Sequence, residues 1–390
     1  MGYSVLGFLL AVVIFLSVLP VWYEGYRLTQ LTEIMKFIVL AVAWVVFSAP
    51  TGYMSLANAA FFGIGFYMAS ALSGTVPFLA LIVVAGAVAF ILALLVGALT
   101  LRLRGVYFCI FTFGLVLLIS NVVREVERQI SGTRGRFVLT ESIDTVYWTI
   151  LGVCVLTILV AWLIRRSRHG LALTAIGQYE EAAGHSGINV VRTKVLVFSV
   201  SAIFMGMAGA VIATRRAYVD PTVAFNLDQS FLPVLMALFG GMVYLAGPVI
   251  GAIVFALIRE ELSTTWPEMF QVIFGAILII SILFLPGGIV GLAVDIWRGA
   301  KGERPFDRST VLWCMILPPL GWVALLMRLV IVGSMRVIGR PVSEIMMEGP
   351  LTWRQFIIGS LTVIGGPVLF LWFVGRALWQ TLIGEADAPA

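Results

Sequence analysis

Charge is what this sequence has least of. Only 12% of its 390 residues are Asp, Glu, Lys or Arg, against about 25% in soluble domains, and 61% are hydrophobic. The shortage is concentrated: residues 37–101, 105–123, 146–164, 195–214, 229–258 and 269–294 contain no Asp, Glu, Lys, Arg or His. Several of these runs approach or exceed the ~20 residues a helix needs to cross a bilayer. A soluble globular domain is therefore excluded. A membrane barrel is excluded as well, because the runs are continuously apolar rather than alternating; in hydrocarbon such a backbone must satisfy itself as helix. The empty spans also exclude mechanisms. A proton-coupled carrier, or an intramembrane hydrolase with acidic or histidine catalysts, needs ionisable groups at membrane depth. Sodium coordination through backbone carbonyls stays open.

Cysteine and histidine are nearly as scarce, with three and two residues. Cys109, Cys154 and Cys314 stand alone in apolar runs, without metal-ligand or disulfide-framework spacing, and read as inert buried thiols. The two histidines, His169 and His185, share one loop with no cysteine near them, which argues against a metal site. No Gly-x-x-x-x-Gly-Lys-Ser/Thr phosphate loop occurs, and the glycines in Ser131-Gly132-Thr133-Arg134-Gly135 have the wrong spacing for one. The chain is thus expected to hold no cofactor and no metal, and to do no covalent chemistry. Its net charge of +5 is small for the length, and suits loops facing anionic lipid rather than nucleic acid.

What is present is a series of membrane spans. Apolar runs predict helices over 3–22, 31–49, 76–99, 106–123, 146–164, 195–214 and 269–285. No basic segment precedes 3–22 and no cleavage site follows it, so it reads as a retained helix rather than a signal peptide. The span 31–49 stops at Pro50-Thr51-Gly52. The following stretch, 53–67, is rich in small residues and carries Ser55 and Asn58. It reads equally as a plain helix packed closely through its glycines or as a discontinuous helix lining a pathway. Residues 124–145 read as a hydrophilic loop. Gly206, Ala208, Gly209 and Ala210 predict close helix packing. Residues 230–258 carry Gly240-Gly241 and Gly247-Pro248 near their middle and predict two half-helices around a break. A pair of interrupted segments is the usual pointer to a transport pathway. Two further apolar runs, 311–332 and 356–382, suggest an appended helical hairpin.

The most polar loop between spans is 165–194. Arg165-Arg166-Ser167-Arg168 suits a cytoplasmic anchor. Residues 171–183 are mostly good helix formers without proline, and Gly184 or Gly187 ends the helix. Within it Glu181-Ala182-Ala183 is followed three residues later by Gly187. A short helix of this kind can seat in a cleft of a cytoplasmic partner: alanines allow close approach, a carboxylate gives one directional contact, and the glycine turns the chain back. The plainer alternative is a solvated amphipathic loop. With no charge in the spans, energy for a pump has to enter from outside the bilayer, and this loop is the place for it.

Four motifs, in order, carry a family resemblance. They are Ser55-Leu56-Ala57-Asn58-Ala59-Ala60-Phe61-Phe62-Gly63-Ile64-Gly65; Leu101-Arg102-Leu103-Arg104-Gly105-Val106-Tyr107-Phe108; Ala175-Ile176 through Glu181-Ala182-Ala183 to Gly187-Ile188-Asn189; and Gly240-Gly241 through Gly247-Pro248-Val249-Ile250-Gly251-Ala252. Over residues 34–295 the chain resembles the membrane permeases of ABC importers for branched-chain amino acids, on the LivM side of the LivH/LivM pair.

The resemblance implies an all-α polytopic membrane protein of about ten transmembrane helices with discontinuous segments, in a bacterial or archaeal cytoplasmic membrane. It implies a heterodimer with a second, LivH-like permease subunit, two cytoplasmic ATP-binding subunits that hold ATP and Mg, and a periplasmic or lipid-anchored solute-binding protein. It also makes the loop the coupling element, with Glu180, Glu181, Ala182, Ala183 and Gly187 as the ATPase-coupling residues. The expected organisation is an N-terminal helix and loop (1–33), a permease core (34–295) containing the coupling loop (165–194), and an extension (296–390) that matches nothing expected of the family.

The expected activity is passage of a small solute, branched-chain or other amino acids first, with urea, amides and small carboxylates open. Ser55, Asn58, Thr112, Asn121 and Tyr244 are the candidate pathway-lining groups; each could equally be a bond between helices. A stand-alone secondary transporter or channel, and a non-transporting membrane scaffold, are the competing readings.

Overall fold

The computed structural model describes residues 25–103, 105–131, 135–265, 275 and 287–300. The predicted spans over 3–22, 311–332 and 356–382, and all but Gly275 of 269–285, lie outside the described residues. The chain divides into two compact units, Met1–Gly291 and Leu292–Ala390, and the helices up to Thr265 build the first.

Helix α1 (Tyr26–Thr51) is the centre of this unit. In its most apolar window 83% of the residues are buried, against 28% to 39% for the helical spans Phe78–Thr100, Val106–Gln129 and Ile143–Arg166. In hydrocarbon an apolar face can meet either lipid or protein; here protein encloses it, since the helices Ile143–Arg166, Val190–Ala213, Asp228–Gly240 and Ala246–Thr265 all pack on it. At 26 residues it is about 39 Å long at 1.5 Å per residue. It starts five residues before the apolar run and ends where expected. Gly52 takes a left-handed conformation (φ 71°) and returns its N–H to the Ser48 carbonyl at 3.0 Å.

After the break come α2 (Asn58–Leu72), α3 (Phe78–Thr100), α4 (Val106–Ser131), α5 (Ile143–Arg166), α6 (Arg168–Gln178), α7 (Glu180–His185) and α8 (Val190–Ala213). A four-residue helix α9 (Pro221–Ala224) leads into α10 (Asp228–Gly240), α11 (Ala246–Thr265) and α12 (Gly288–Ala300). Among the described residues six helical segments are long and apolar enough to cross a membrane, with α2 as a shorter apolar helix. The predicted half-helices in 230–258 are α10 and α11, separated by 241–245.

The small residues of α8 set its packing. A side chain at Gly206 would come within 2.5 Å of the Ala89 Cβ, and one at Gly209 within 2.1 Å of the Phe62 carbonyl oxygen. Helix α8 therefore lies directly on α2 and α3, as tight membrane packing requires. The predicted loop after 123 begins instead as helix. Residues through Ser131 continue α4, supported by Glu125, which accepts from Arg128 (2.8 Å) and Gln129 (3.0 Å) at helical spacing.

One end of the unit carries ion pairs. Glu33 holds Lys36 and, at 3.1 Å, Arg215 from beyond α8. Arg136 Nε lies 2.8 and 2.9 Å from the two oxygens of Glu127, whose hydrogen bond holds the guanidinium above its ordinary pKa. Strands β1 (Arg136–Phe137) and β2 (Tyr218–Val219) pair antiparallel there, Arg136 opposite Val219. The other end carries the loop between α5 and α8.

Candidate functional site

The loop folds as two short helices with distinct stops. Ser167 ends α5, its N–H bonded to Ile164, and opens α6, its Oγ accepting the Gly170 N–H at 3.4 Å. Helix α6 buries Leu173 and Ile176, one turn apart, and leaves Leu171 exposed. Helix α7 puts Glu180 and Glu181 in its first turn, where carboxylates complement the helix dipole. It ends in a Schellman turn. The Ile188 N–H reaches the Ala183 carbonyl at 3.2 Å, the Gly187 N–H reaches Gly184 at 3.1 Å, and Gly187 has φ 84°. Of the two candidate stop residues, Gly187 is the one that turns the chain. Asn189 then caps α8 by accepting the Arg192 N–H.

The two adjacent glutamates face different ways. Glu181, with Ala182 and His185, is exposed. Glu180 points into the protein: its Oε1 lies 2.8 Å from Lys194 Nζ, and its Oε2 accepts from the Tyr53 hydroxyl at 2.7 Å. Lys194 also donates to the Tyr53 oxygen at 3.2 Å and has no solvent exposure. Lys194 is fully buried and Glu180 keeps partial access to solvent, so loss of the carboxylate leaves the ammonium without its ion-pair partner. Three residues before Glu180, a Cβ on Gly177 would stand 2.0 Å from the Pro50 carbonyl oxygen. The loop thus sits directly on the end of α1.

That end is the first interruption, and it is held open by side chains. Trp44 Nε1 donates to the Ser55 carbonyl at 2.8 Å. The Leu56 N–H donates to Thr112 Oγ1 at 3.1 Å. Ser230 Oγ donates to the Leu56 carbonyl at 2.6 Å and accepts the Ala59 N–H at 3.0 Å. Ser55 Oγ accepts the Ala57 N–H at 3.3 Å. The unwound backbone is therefore satisfied by three other helices, as buried polar groups require.

The pathway candidates divide accordingly. Ser55, Asn58 and Thr112 come together around Leu56, with Ser55 and Thr112 engaged by its backbone and its neighbours'. Asn58 is 1% exposed, and its Nδ2 has no partner among the described residues; Gln229 Oε1, beside Ser230, is in the same state. Asn121 lies elsewhere, on the exposed flank of α4 with Leu117, Leu118 and Val122. Tyr244 is half-buried in the second interruption, where its carbonyl accepts the Gly247 N–H. There Arg165, in the last turn of α5, donates to the carbonyls of Met242 and Val243, each at 3.1 Å. Sequence reasoning missed Lys194, Tyr53, Trp44 and Ser230. Lys194 carried a signal, as the last cation before an uncharged apolar run, 14 residues after Glu180.

These features define a multi-pass helical membrane protein with a folded polar loop seated on its broken helices. The chain belongs to the family of branched-chain amino acid transport system permease components, whose profile matches residues 26–282. It is 24% identical over 335 residues, 76% of this chain and 78% of the relative, to the high-affinity branched-chain amino acid transport system permease protein LivM of Salmonella typhimurium, and equally to that of Escherichia coli. Shorter similarities reach sugar permeases. The ribose import permease protein RbsC of Bacillus subtilis is 30% identical over 136 residues, 33% of this chain and 42% of the relative. The L-arabinose ABC transporter permease protein AraH of Azospirillum brasilense is 28% identical over 129 residues, 32% and 38%. No solved structure matches the chain.

Proposed function

We propose that this chain is the permease subunit of an ATP-driven importer and forms, with a second LivH-like permease subunit, the pathway for a small solute. Two cytoplasmic ATPase subunits act on residues 171–188, and a periplasmic or lipid-anchored binding protein delivers the solute. The complex stands in a bacterial or archaeal cytoplasmic membrane, with about ten transmembrane helices in this subunit. Glu181, Ala182 and the Gly187 turn meet the ATPase; Glu180 and Ala183 hold the helix to the bundle. Ser55, Asn58, Thr112, Asn121 and Tyr244 line or flank the pathway, with the Asn58 Nδ2, which has no partner among the described residues, as its first polar contact. The observation that carries this reading is the family match across the described bundle, interruptions and loop included.

Branched-chain amino acids are the leading solutes, because similarity to the LivM proteins spans three quarters of the chain and similarity to sugar permeases only about a third. The test is reconstitution in proteoliposomes with the co-encoded partners, supplying radiolabelled leucine, valine or ribose. Uptake of leucine and valine that requires ATP is expected. ATP-dependent uptake of ribose alone would move the substrate class to sugars. Gradient-driven uptake by the isolated chain would replace the importer reading with a stand-alone carrier.

A further inference from the structure

The loop grips both interruptions of the bundle, and it does so through residues that a docking role does not require. At the first, Glu180 and Lys194 close on Tyr53, and Gly177 abuts Pro50. At the second, the two terminal nitrogens of Arg165 take the carbonyls of Met242 and Val243. Those carbonyls belong to the break between α10 and α11, so the arginine supplies donors that a continuous helix would have supplied. Arg165 lies in the last turn of α5 and Lys194 in the first turns of α8. Both stems of the loop and its second helix are therefore tied to residues of the unwound segments, through the Tyr53 side chain at the first and through backbone carbonyls at the second.

Unwound segments at helix ends are where a chain absorbs changes in φ and ψ with least disturbance of its packed elements. From Tyr53 the contact continues inward. Its ring stands edge-on to Phe108 at 5.5 Å, Phe108 is 6.3 Å from Phe198, and Phe198 is 5.4 Å from Phe61 on α2. A closely packed chain of rings passes on a displacement rather than damping it.

We propose that Glu180, Lys194, Tyr53 and Arg165 are positioning residues that transmit loop movement to the two interruptions at once, so that α2 and the α10–α11 break shift together. This rests on the reading of the loop as the ATPase contact. It assigns a separate function to its inward face: the outward residues receive the movement, and these four deliver it.

The experiment uses the complete reconstituted complex with whichever of radiolabelled leucine or ribose the wild type imports. It measures complex yield, ATP hydrolysis and solute moved per ATP. In E180Q and R165Q, yield and hydrolysis persist while solute per ATP falls about fivefold or more, the low end of what coupling between two sites is worth. The exchanged pair E180K/K194E recovers the ratio that E180K alone loses. A wild-type ratio in both E180Q and R165Q overturns the proposal. If G187V still uncouples or dissociates the ATPases in that case, the loop remains the ATPase contact and only the transmission role falls. If G187V is also neutral, both fall. Should the charge variants fail to accumulate, Y53F, which removes a single hydroxyl, decides between the same two outcomes.

Discussion

Adjacent residues in the loop carry different burdens, and Gly187 shows how local the requirement is. Its φ of 84° is strained for any side chain, although a Cβ there would meet nothing within 4 Å. The penalty for G187V is therefore conformational, about 1–2 kcal/mol for a left-handed residue, with no clash added. G187N, which tolerates that region better, should lose less. We expect G187V to open the turn after α7 and weaken retention of the ATPase subunits on co-purification, G187N to fall between it and wild type, and membrane yield to stay unchanged in both. Equal retention in all three would mean that the turn is not needed for docking. The motif around this glycine was legible because helix formers, acidic first turn and stop residue agree. The opposite orientations of Glu180 and Glu181 were not. They depend on where Lys194 and Tyr53 arrive, and those residues lie 14 and 127 positions from Glu180 in sequence.

At the level of elements, the break between α1 and α2 is a built feature rather than a failure of helix. Leu56 has both backbone groups taken by side chains of other helices, Thr112 from α4 and Ser230 from α10. S230A strands the Leu56 carbonyl and the Ala59 N–H; T112V strands the Leu56 N–H. An unsatisfied buried group costs about 1–3 kcal/mol. Both variants should lower the thermal midpoint in detergent, S230A more than T112V, and T112S should restore the wild-type value. An unchanged midpoint in S230A would show that water replaces the hydroxyl. Composition alone left 53–67 undecided between a closely packed helix and an interrupted one. Both descriptions apply: Pro50 and Gly52 end the helix, and Gly65 then lets α2 reach α8. Helix extents were misjudged where charge lies inside a helix, and the single helix expected over 171–183 is broken at Tyr179 into α6 and α7. Arg124 to Gln129 read as loop because they are polar, but their spacing forms pairs along α4. The partners of the break, by contrast, are single hydroxyls in distant apolar runs, and nothing in the local sequence marks a serine that caps another segment.

For the whole molecule, the division of polarity sets what each surface can tolerate. Ion pairs involving Glu33 and Glu127 lie at one end and the Glu180–Lys194 pair at the other. Between them, α3 and α4 turn large apolar residues outward, among them Leu79, Val83, Ile91, Leu95, Ile110 and Leu118. Water cannot cover such a flank; lipid or a second membrane subunit can. Leu171 and Tyr179 are just as exposed, at 71% and 64%, but they sit on the polar loop. Exposure alone therefore does not distinguish a lipid-facing residue from one that meets a soluble partner, whereas a charge does. Ile91→Arg sets a cation near the middle of α3, where insertion costs about 2.5–3.5 kcal/mol, and membrane accumulation should fall. Tyr179→Arg faces no such cost, so accumulation should hold while ATPase retention weakens. Fractionation and co-purification of the two variants separate the effects. A loss of accumulation in Tyr179→Arg would mean that the loop end is embedded, and the ATPase would then have to dock elsewhere on the chain.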